Sequence, residues 1–258
     1  MNGLLYEKRG NVGIIRFNRP KVLNAVDTET AGEFSRLLDE IEADREVRCA
    51  VLTGEGRAFC AGGDIDEESG KGVQAAFEFA VTGDRLMEKM ERLRVPIIAA
   101  INGYCLGGGL EFAMACDIRL AADSAVLGSP EVSLGTYPGW GGTQRLPRIV
   151  GASRAKELMM TCEKISAQEA LRIGLADRVV RAEELMDEAL KLAGTIAGRP
   201  PIAVSAVKIS VNEGMQCDIT RGIRLEANLF AQLYATEDLR EAYTAYLEKR
   251  PPKPFTGR

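Results

Sequence analysis

The hydrophobic pattern of the chain changes its period several times, and each change predicts an element. Residues 4–8 and 12–17 read as two strands paired around Arg9, Gly10 and Asn11, a hairpin turn. Residues 29–43 carry Ala31, Phe34, Leu38 and Ile41 at helical spacing, with Asp27 or Thr28 placed to cap the helix. A short apolar run at 49–53 reads as a buried strand, and residues 54–62 turn into the glycine-rich AFCAGGDI. A helical pattern returns over 73–93 through Phe77, Ala80, Val81, Leu86 and Met90, and Pro96 closes it. Residues 97–101 form a second buried run, followed by Gly107, Gly108 and Gly109 and a helix-like segment at 110–115.

Further along, 152–160 reads as a short helix. Ser166 and Glu169 have capping-box spacing ahead of Ala170 and Leu171. Gly174 stops that helix, and 176–180 reads as a short strand. From residue 183 onward the pattern is helical, over 184–197, 203–213, 219–234 and 239–249. Arg199, Pro200 and Pro201 mark the boundary, which divides the chain into a core at 1–198 and a helical region at 199–258. The basic, proline-rich end at 250–258 reads as a loose tail. Strand, glycine loop and helix recur, so the fold class is α/β, built from repeating ββα units.

Composition narrows the function. A chain of 258 residues with 46% hydrophobic content can bury a sizeable core. A net charge of −4 gives no basic footprint for nucleic acid. The six cysteines, at 49, 60, 105, 116, 162 and 217, form no C-x-x-C pair. They read as reduced core thiols of a cytoplasmic protein, with a structural disulfide as the alternative. The first ten residues, MNGLLYEKRG, lack a signal-peptide core, and no run of about 18 apolar residues suggests a membrane span.

The stretch from Pro96 to Leu146 carries the chemistry. Glycines at the mouth of a helix let a ligand approach unpaired N–H groups, which favour an anion. Such groups suit a phosphate or the oxygen of a carbonyl becoming an enolate. A dinucleotide fingerprint fails, because Gly107 and Gly109 are followed by Phe112 where the third glycine belongs. The chain has no histidine, which excludes imidazole as base or metal ligand. Proton transfer then falls to carboxylates, Lys, Tyr or Cys, and Glu111 and Glu131 are the natural pair. The plain structural alternative for Glu111 is a residue complementing the helix dipole. In the acidic segment 64–72, Glu67 and Glu68 read as solvated, while Asp64 and Asp66 lie nearer the glycine loop.

These blocks carry a resemblance. INGYCLGGGLEFAMACD, SPEVSLGTYPGWGGTQRLPRIVG and RAFCAGGDI resemble the signature segments of the enoyl-CoA hydratase/isomerase (crotonase) family. RPKVLNAV and ISAQEALRIGLADRVV match as well, in the right order along nearly the whole chain. The resemblance implies a spiral of ββα units with a C-terminal helical region. It implies hydration of the 2,3 double bond of an enoyl-CoA thioester, as in fatty-acid β-oxidation. Glu111 would deprotonate the attacking water, and Glu131 would hold that water and protonate C2. The backbone N–H groups of Gly63, where alanine is frequent in the family, and of Gly108 would form the oxyanion hole. Lys21, Val22, Leu23 and Arg57 match the CoA-binding segments, with plain surface charge as the alternative for Lys21 and Arg57. Ala61, Asp64 and Ile65 flank the oxyanion loop. Gly139 and Trp140 stand in the glycine-rich turn, where relatives often have smaller residues than Tyr137 and Trp140. Trp140 would shape the acyl pocket towards short or cyclic chains, with packing as the alternative.

The resemblance also implies no metal or redox cofactor, CoA entering only as part of the acyl-CoA substrate. It implies a homotrimer or hexamer, a contribution of Lys253 from a neighbouring subunit, and no nucleic-acid or membrane partner. Two rivals remain at this point. One is another CoA-ester reaction on the same scaffold, such as isomerisation, hydrolysis or cyclic dienoyl-CoA hydration. The other is a non-catalytic CoA-binding scaffold.

Overall fold

In the computed structural model, which describes residues 3–258, the chain alternates between two sheets. β1 (Leu4–Arg9) and β2 (Val12–Phe17) form an antiparallel hairpin around Gly10, whose φ of +58° suits glycine. α1 (Thr28–Ala43) starts at Asp27, whose carboxylate accepts the Thr30 N–H at 2.8 Å. Its apolar stripe, Phe34, Leu37, Leu38 and Ile41, is fully buried. β3 (Cys49–Gly54) and β4 (Ala58–Cys60) follow, then α2 (Ile65–Glu68) and α3 (Val73–Arg92). The next turn of chain is β5 (Ile97–Ile101), β6 (Tyr104–Leu106) and α4 (Gly108–Ala115). β7 (Ile118–Ala122) and β8 (Val126–Gly128) come next, then the 3-10 turn Glu131–Leu134.

The remaining elements close the core. They are α5 (Gly142–Val150), α6 (Ala152–Thr161), β9 (Lys164–Ser166), α7 (Ala167–Arg172), β10 (Arg178–Val180) and α8 (Leu185–Ala197). α9 (Pro201–Gly214), α10 (Ile219–Leu233) and α11 (Glu237–Leu247) make up the helical C-terminal region.

Strand order is β1-β2-β3-β5-β7-β10 in one sheet and β4-β6-β8-β9 in the other. Each pass of the chain therefore adds one parallel strand to each sheet, through β3 and β4, β5 and β6, then β7 and β8. That is the spiral of ββα units. β3 and β5 are buried on both faces and apolar or small throughout, as a covered parallel sheet requires. α8 packs on β2, β3, β5 and β7, turning Ala189, Ala193 and Ala197 inward at a spacing of four. Small side chains let the helix lie close to the sheet.

Some elements depart from the sequence reading. α5 is unexpected, since Gly141 and Gly142 read as a turn and Pro147 lies inside the helix. β7 is likewise a strand that the pattern did not announce. The C-terminal tail is not loose. The Asp238 carboxylate accepts from the Thr256 and Gly257 N–H groups at 2.7 and 2.8 Å, and Arg48 donates to the Phe255 carbonyl at 2.8 Å. α9 is fastened to the core by Lys208, whose ammonium donates to the Met90 and Val95 carbonyls and to Asp117. That buried charge is fully partnered, so it fixes register without a stranded donor. All six cysteines are free thiols.

Candidate active site

Three glycine contacts shape the floor of the site. A Cβ on Gly109 would lie 2.0 Å from the Cys60 carbonyl, so only glycine lets α4 approach β4 this closely. A Cβ on Gly62, at φ +108°, would lie 2.9 Å from the Gly108 nitrogen. The backbones of Gly62–Gly63 and Gly107–Gly108 are thus pressed together. Among the described residues, neither the Gly63 nor the Gly108 N–H donates a hydrogen bond. Both residues line a cavity of about 300 Å³, shared with Glu68, Glu111, Glu131, Gly139 and Trp140.

The two glutamates are held by opposite strategies. Glu111 sits in the first turn of α4 and is 3% exposed. Its Oε1 accepts the N–H groups of Trp140 and Gly142 at 2.8 and 2.7 Å. Burial pushes its carboxyl up to about 7; the nearby Glu131 charge adds to this, and the two N–H donors oppose it. Phe112, the next residue, anchors the helix by ring contacts with Phe17, Phe34 and Trp140 at 5.1, 5.5 and 5.9 Å. Glu131 opens the 3-10 turn after Pro130, and its Oε2 accepts the Ser129 hydroxyl at 2.8 Å. Its Oε1 is buried without a partner, and burial raises this carboxyl too. Each glutamate therefore gives one oxygen to the protein and keeps the other free of a protein hydrogen bond.

Arg145 of α5 braces the turn that grips Glu111. It donates to the Trp140 carbonyl at 2.9 Å and makes a bidentate pair with Glu91 at 2.6 and 2.9 Å. The sequence reading passed over Arg145 because a lone arginine in an amphipathic segment looks like a surface charge. It also missed Lys71, Phe79 and Ala80, which line the cavity or border it from α3 and the loop before it. The solvated reading of Glu68 fails: the side chain is half-buried and lines the same cavity. Its neighbour Glu67 turns the other way, pairing with Lys71 at 2.9 Å and accepting the Thr28 N–H at 2.8 Å.

The expected residues of the 19–26 and 57–65 segments lie together beside the glycine loop but, Gly63 apart, do not line the cavity. Leu23 accepts the Ala61 N–H at 3.0 Å, and Val26 bridges to Gly63, so the 19–26 loop is laced to the glycine loop. Lys21, Val22 and Arg57 are exposed on these loops. Asp64 is occupied structurally, with one oxygen 2.8 Å from Arg19 and the other accepting the Asp66 N–H at 3.2 Å. Ile65 is exposed. Lys253 lies on the fastened tail, its N–H donating to Glu241 at 2.8 Å. Trp140 is buried, its ring tilted against that of Phe79 with centroids 5.1 Å apart. Among the described residues no group of acidic and cysteine side chains is arranged to hold a metal ion.

Comparison with known proteins matches this arrangement to one family. The sequence profile described as Enoyl-CoA hydratase/isomerase matches residues 7–258. A short-chain-enoyl-CoA hydratase of Clostridium acetobutylicum is 44% identical, covering 100% of this chain and 99% of the relative. A crotonyl-CoA hydratase of Syntrophomonas wolfei is also 44% identical, covering 96% of this chain and 95% of the relative. The crystal structure of an enoyl-CoA hydratase from Bacillus anthracis superposes with a TM-score of 0.95 at 39% identity, covering 99% of this chain and 100% of that one.

Proposed function

The chain belongs to the enoyl-CoA hydratase/isomerase family, and from that premise we propose that it is an enoyl-CoA hydratase in which Glu111 and Glu131 work on a single water. It adds water across the 2,3 double bond of an enoyl-CoA thioester, giving a 3-hydroxyacyl-CoA. The observation that carries the residue assignment is the pair of carboxylates on one cavity, each with an oxygen free of protein partners. Two such oxygens can hold one water between them.

The mechanism follows from that geometry. The thioester oxygen sits between the Gly63 and Gly108 N–H groups, which strengthen their hold as it becomes an enolate. Glu111, ionised, takes a proton from the water as its oxygen attacks C3. Glu131, whose carboxyl burial raises, acts in its protonated form and delivers its proton to C2. Proton return from Glu111 to Glu131 through water resets the site. The chemistry calls for no cofactor beyond the CoA of the substrate. Lys21, Val22, Leu23 and Arg57 flank the CoA at the rim, with Ala61, Asp64 and Ile65 shaping the loop beside it.

Trp140 sets the acyl length. A second cavity of about 250 Å³ shares Lys71, Phe79 and Trp140 with the first. The indole separates them, seated where a Cβ on Gly83 would lie 1.9 Å from Trp140 Cδ1. The wall favours short acyl groups, in keeping with the activities named for the two relatives. Trp140→Ala is expected to raise kcat/KM for an eight-carbon enoyl-CoA relative to crotonyl-CoA at least tenfold, and an unchanged profile would retire this assignment.

The helical region 199–258 packs against further copies, as Ile219, Ile223 and Phe230 of α10 are exposed apolar side chains. A homotrimer or a pair of trimers, in the cytoplasm, is the arrangement proposed. Among the described residues no helix is long and apolar enough to cross a membrane. The deciding experiment is a hydration assay over linear and cyclic enoyl-CoA thioesters. Turnover of crotonyl-CoA supports the reading. Turnover of cyclic dienoyl-CoA alone moves it to ring hydration, and no turnover of any thioester defeats it.

A further inference from the structure

Gly63 poses a question that its backbone does not answer. Its φ lies outside the left-handed region, so any residue could adopt its conformation. Glu68 reaches this position: a Cβ on Gly63 would lie 1.8 Å from Glu68 Oε1, so a side chain there would have to displace the carboxyl. The absent Cβ leaves room for a carboxyl group against the glycine loop. That carboxyl has no hydrogen-bond or ion-pair partner among the described residues, although Glu67 beside it has three. It faces the same cavity as Gly108, Glu111 and Glu131. An unpartnered acid beside the oxyanion donors is not accounted for by the hydration scheme.

Resting on the hydratase reading, we propose that Glu68 is a further catalytic residue: as the neutral acid it donates a third hydrogen bond to the thioester oxygen beside Gly63 and Gly108. The neutral acid is the form that can donate, and a carboxylic acid kept neutral by its surroundings serves well at an enolate. Its surroundings act in that direction. Burial raises the Glu68 carboxyl, and Glu67, Asp64 and Glu131 raise it further, against the lowering effect of Lys71. Once ionised, the same group places a negative charge beside the forming enolate and opposes it. The reaction should therefore lose rate on the alkaline side as Glu68 gives up its proton. Glu131, the proton donor to C2, Glu111, the base, Lys71 and Tyr137 are the other titratable groups lining the cavity.

The test is kcat/KM for crotonyl-CoA from pH 5.5 to 9 in the wild-type protein, Glu68→Gln, Glu68→Met and Gly63→Ala. Thermal melting checks that each variant is folded. Glutamine keeps a donor that cannot ionise. It is expected to stay within about fivefold of the wild-type maximum and to lose the alkaline decline that belongs to Glu68. Methionine has no donor and should fall about 10- to 100-fold at the wild-type optimum, the loss expected for one oxyanion donor. Gly63→Ala expels the carboxyl and should behave like Glu68→Met. Equal rates for Gln and Met, or an alkaline limb identical in wild type and Glu68→Gln, would overturn the proposal. A wild-type protein that hydrates no enoyl-CoA would instead defeat the hydratase reading on which it stands.

Discussion

The two walls of the catalytic cavity are built differently. One wall is α4 with the 138–142 turn. Its residues are largely buried, one Glu111 oxygen is fixed by two backbone N–H groups, and Arg145 and Glu91 brace it from behind. The other is α2 with the start of α3. It is exposed and charged, held by side-chain contacts such as Glu67 with Lys71 and Thr28. The contrast teaches a division of labour. The buried wall sets the position and proton affinity of Glu111, the proposed base. The exposed wall sets what surrounds the substrate.

The largest effect should come from the buried wall. Glu111→Gln or Glu131→Gln is expected to lower kcat for crotonyl-CoA hydration about 10³-fold, within the range for a positioned acid or base. Steady-state kinetics checks this, and a loss below tenfold would remove that residue from the mechanism. Next is a linkage effect on stability. Glu111 is pushed up to about 7 when folded, from an ordinary value of 4.5. A carboxyl raised on folding favours the folded state most below its unfolded value, and that advantage is lost as pH rises through 7. Denaturant melts should show Glu111→Gln gaining stability over wild type between pH 5 and 8, by about 3 kcal/mol. A difference independent of pH would mean the buried carboxyl is not the source.

Gly108→Ala probes where the walls meet. Its Cβ would lie 2.8 Å from the Trp140 ring, so the oxyanion N–H must shift. A fall in kcat of about 10²-fold is expected, and wild-type turnover would show that the loop can yield. The smallest effect belongs to the Glu67–Lys71 ion pair of the exposed wall. Glu67→Ala should cost about 1 kcal/mol in thermal or denaturant melts, as expected for a partly exposed ion pair. A larger cost would erase the contrast between the walls.

The same contrast explains what was legible in the sequence. Glu111 could be read because a triple glycine, a helical apolar segment and the absence of histidine all pointed to it. Gly63 and Gly108 came through the family blocks. The course of α1 was readable from its Asp27 cap and its stripe of Phe34, Leu38 and Ile41. Glu68 was not, because a run of acids at 64–68 has the local pattern of a solvated loop, and its burial depends on a glycine five positions away. α5 was hidden by Gly142 at its start and Pro147 within it. The tail seemed free because its anchor, Asp238, is a side chain whose reach no local pattern records.

The central claim is that two carboxylates act as one unit on one water. It is tested most directly by kcat for crotonyl-CoA in Glu111→Gln, Glu131→Gln and the double variant. Residues that act as a unit lose their effect together, so the double variant should fall within about threefold of the slower single one. A double variant slowed by the full product of the two single losses would show the glutamates acting independently, and would contradict the account.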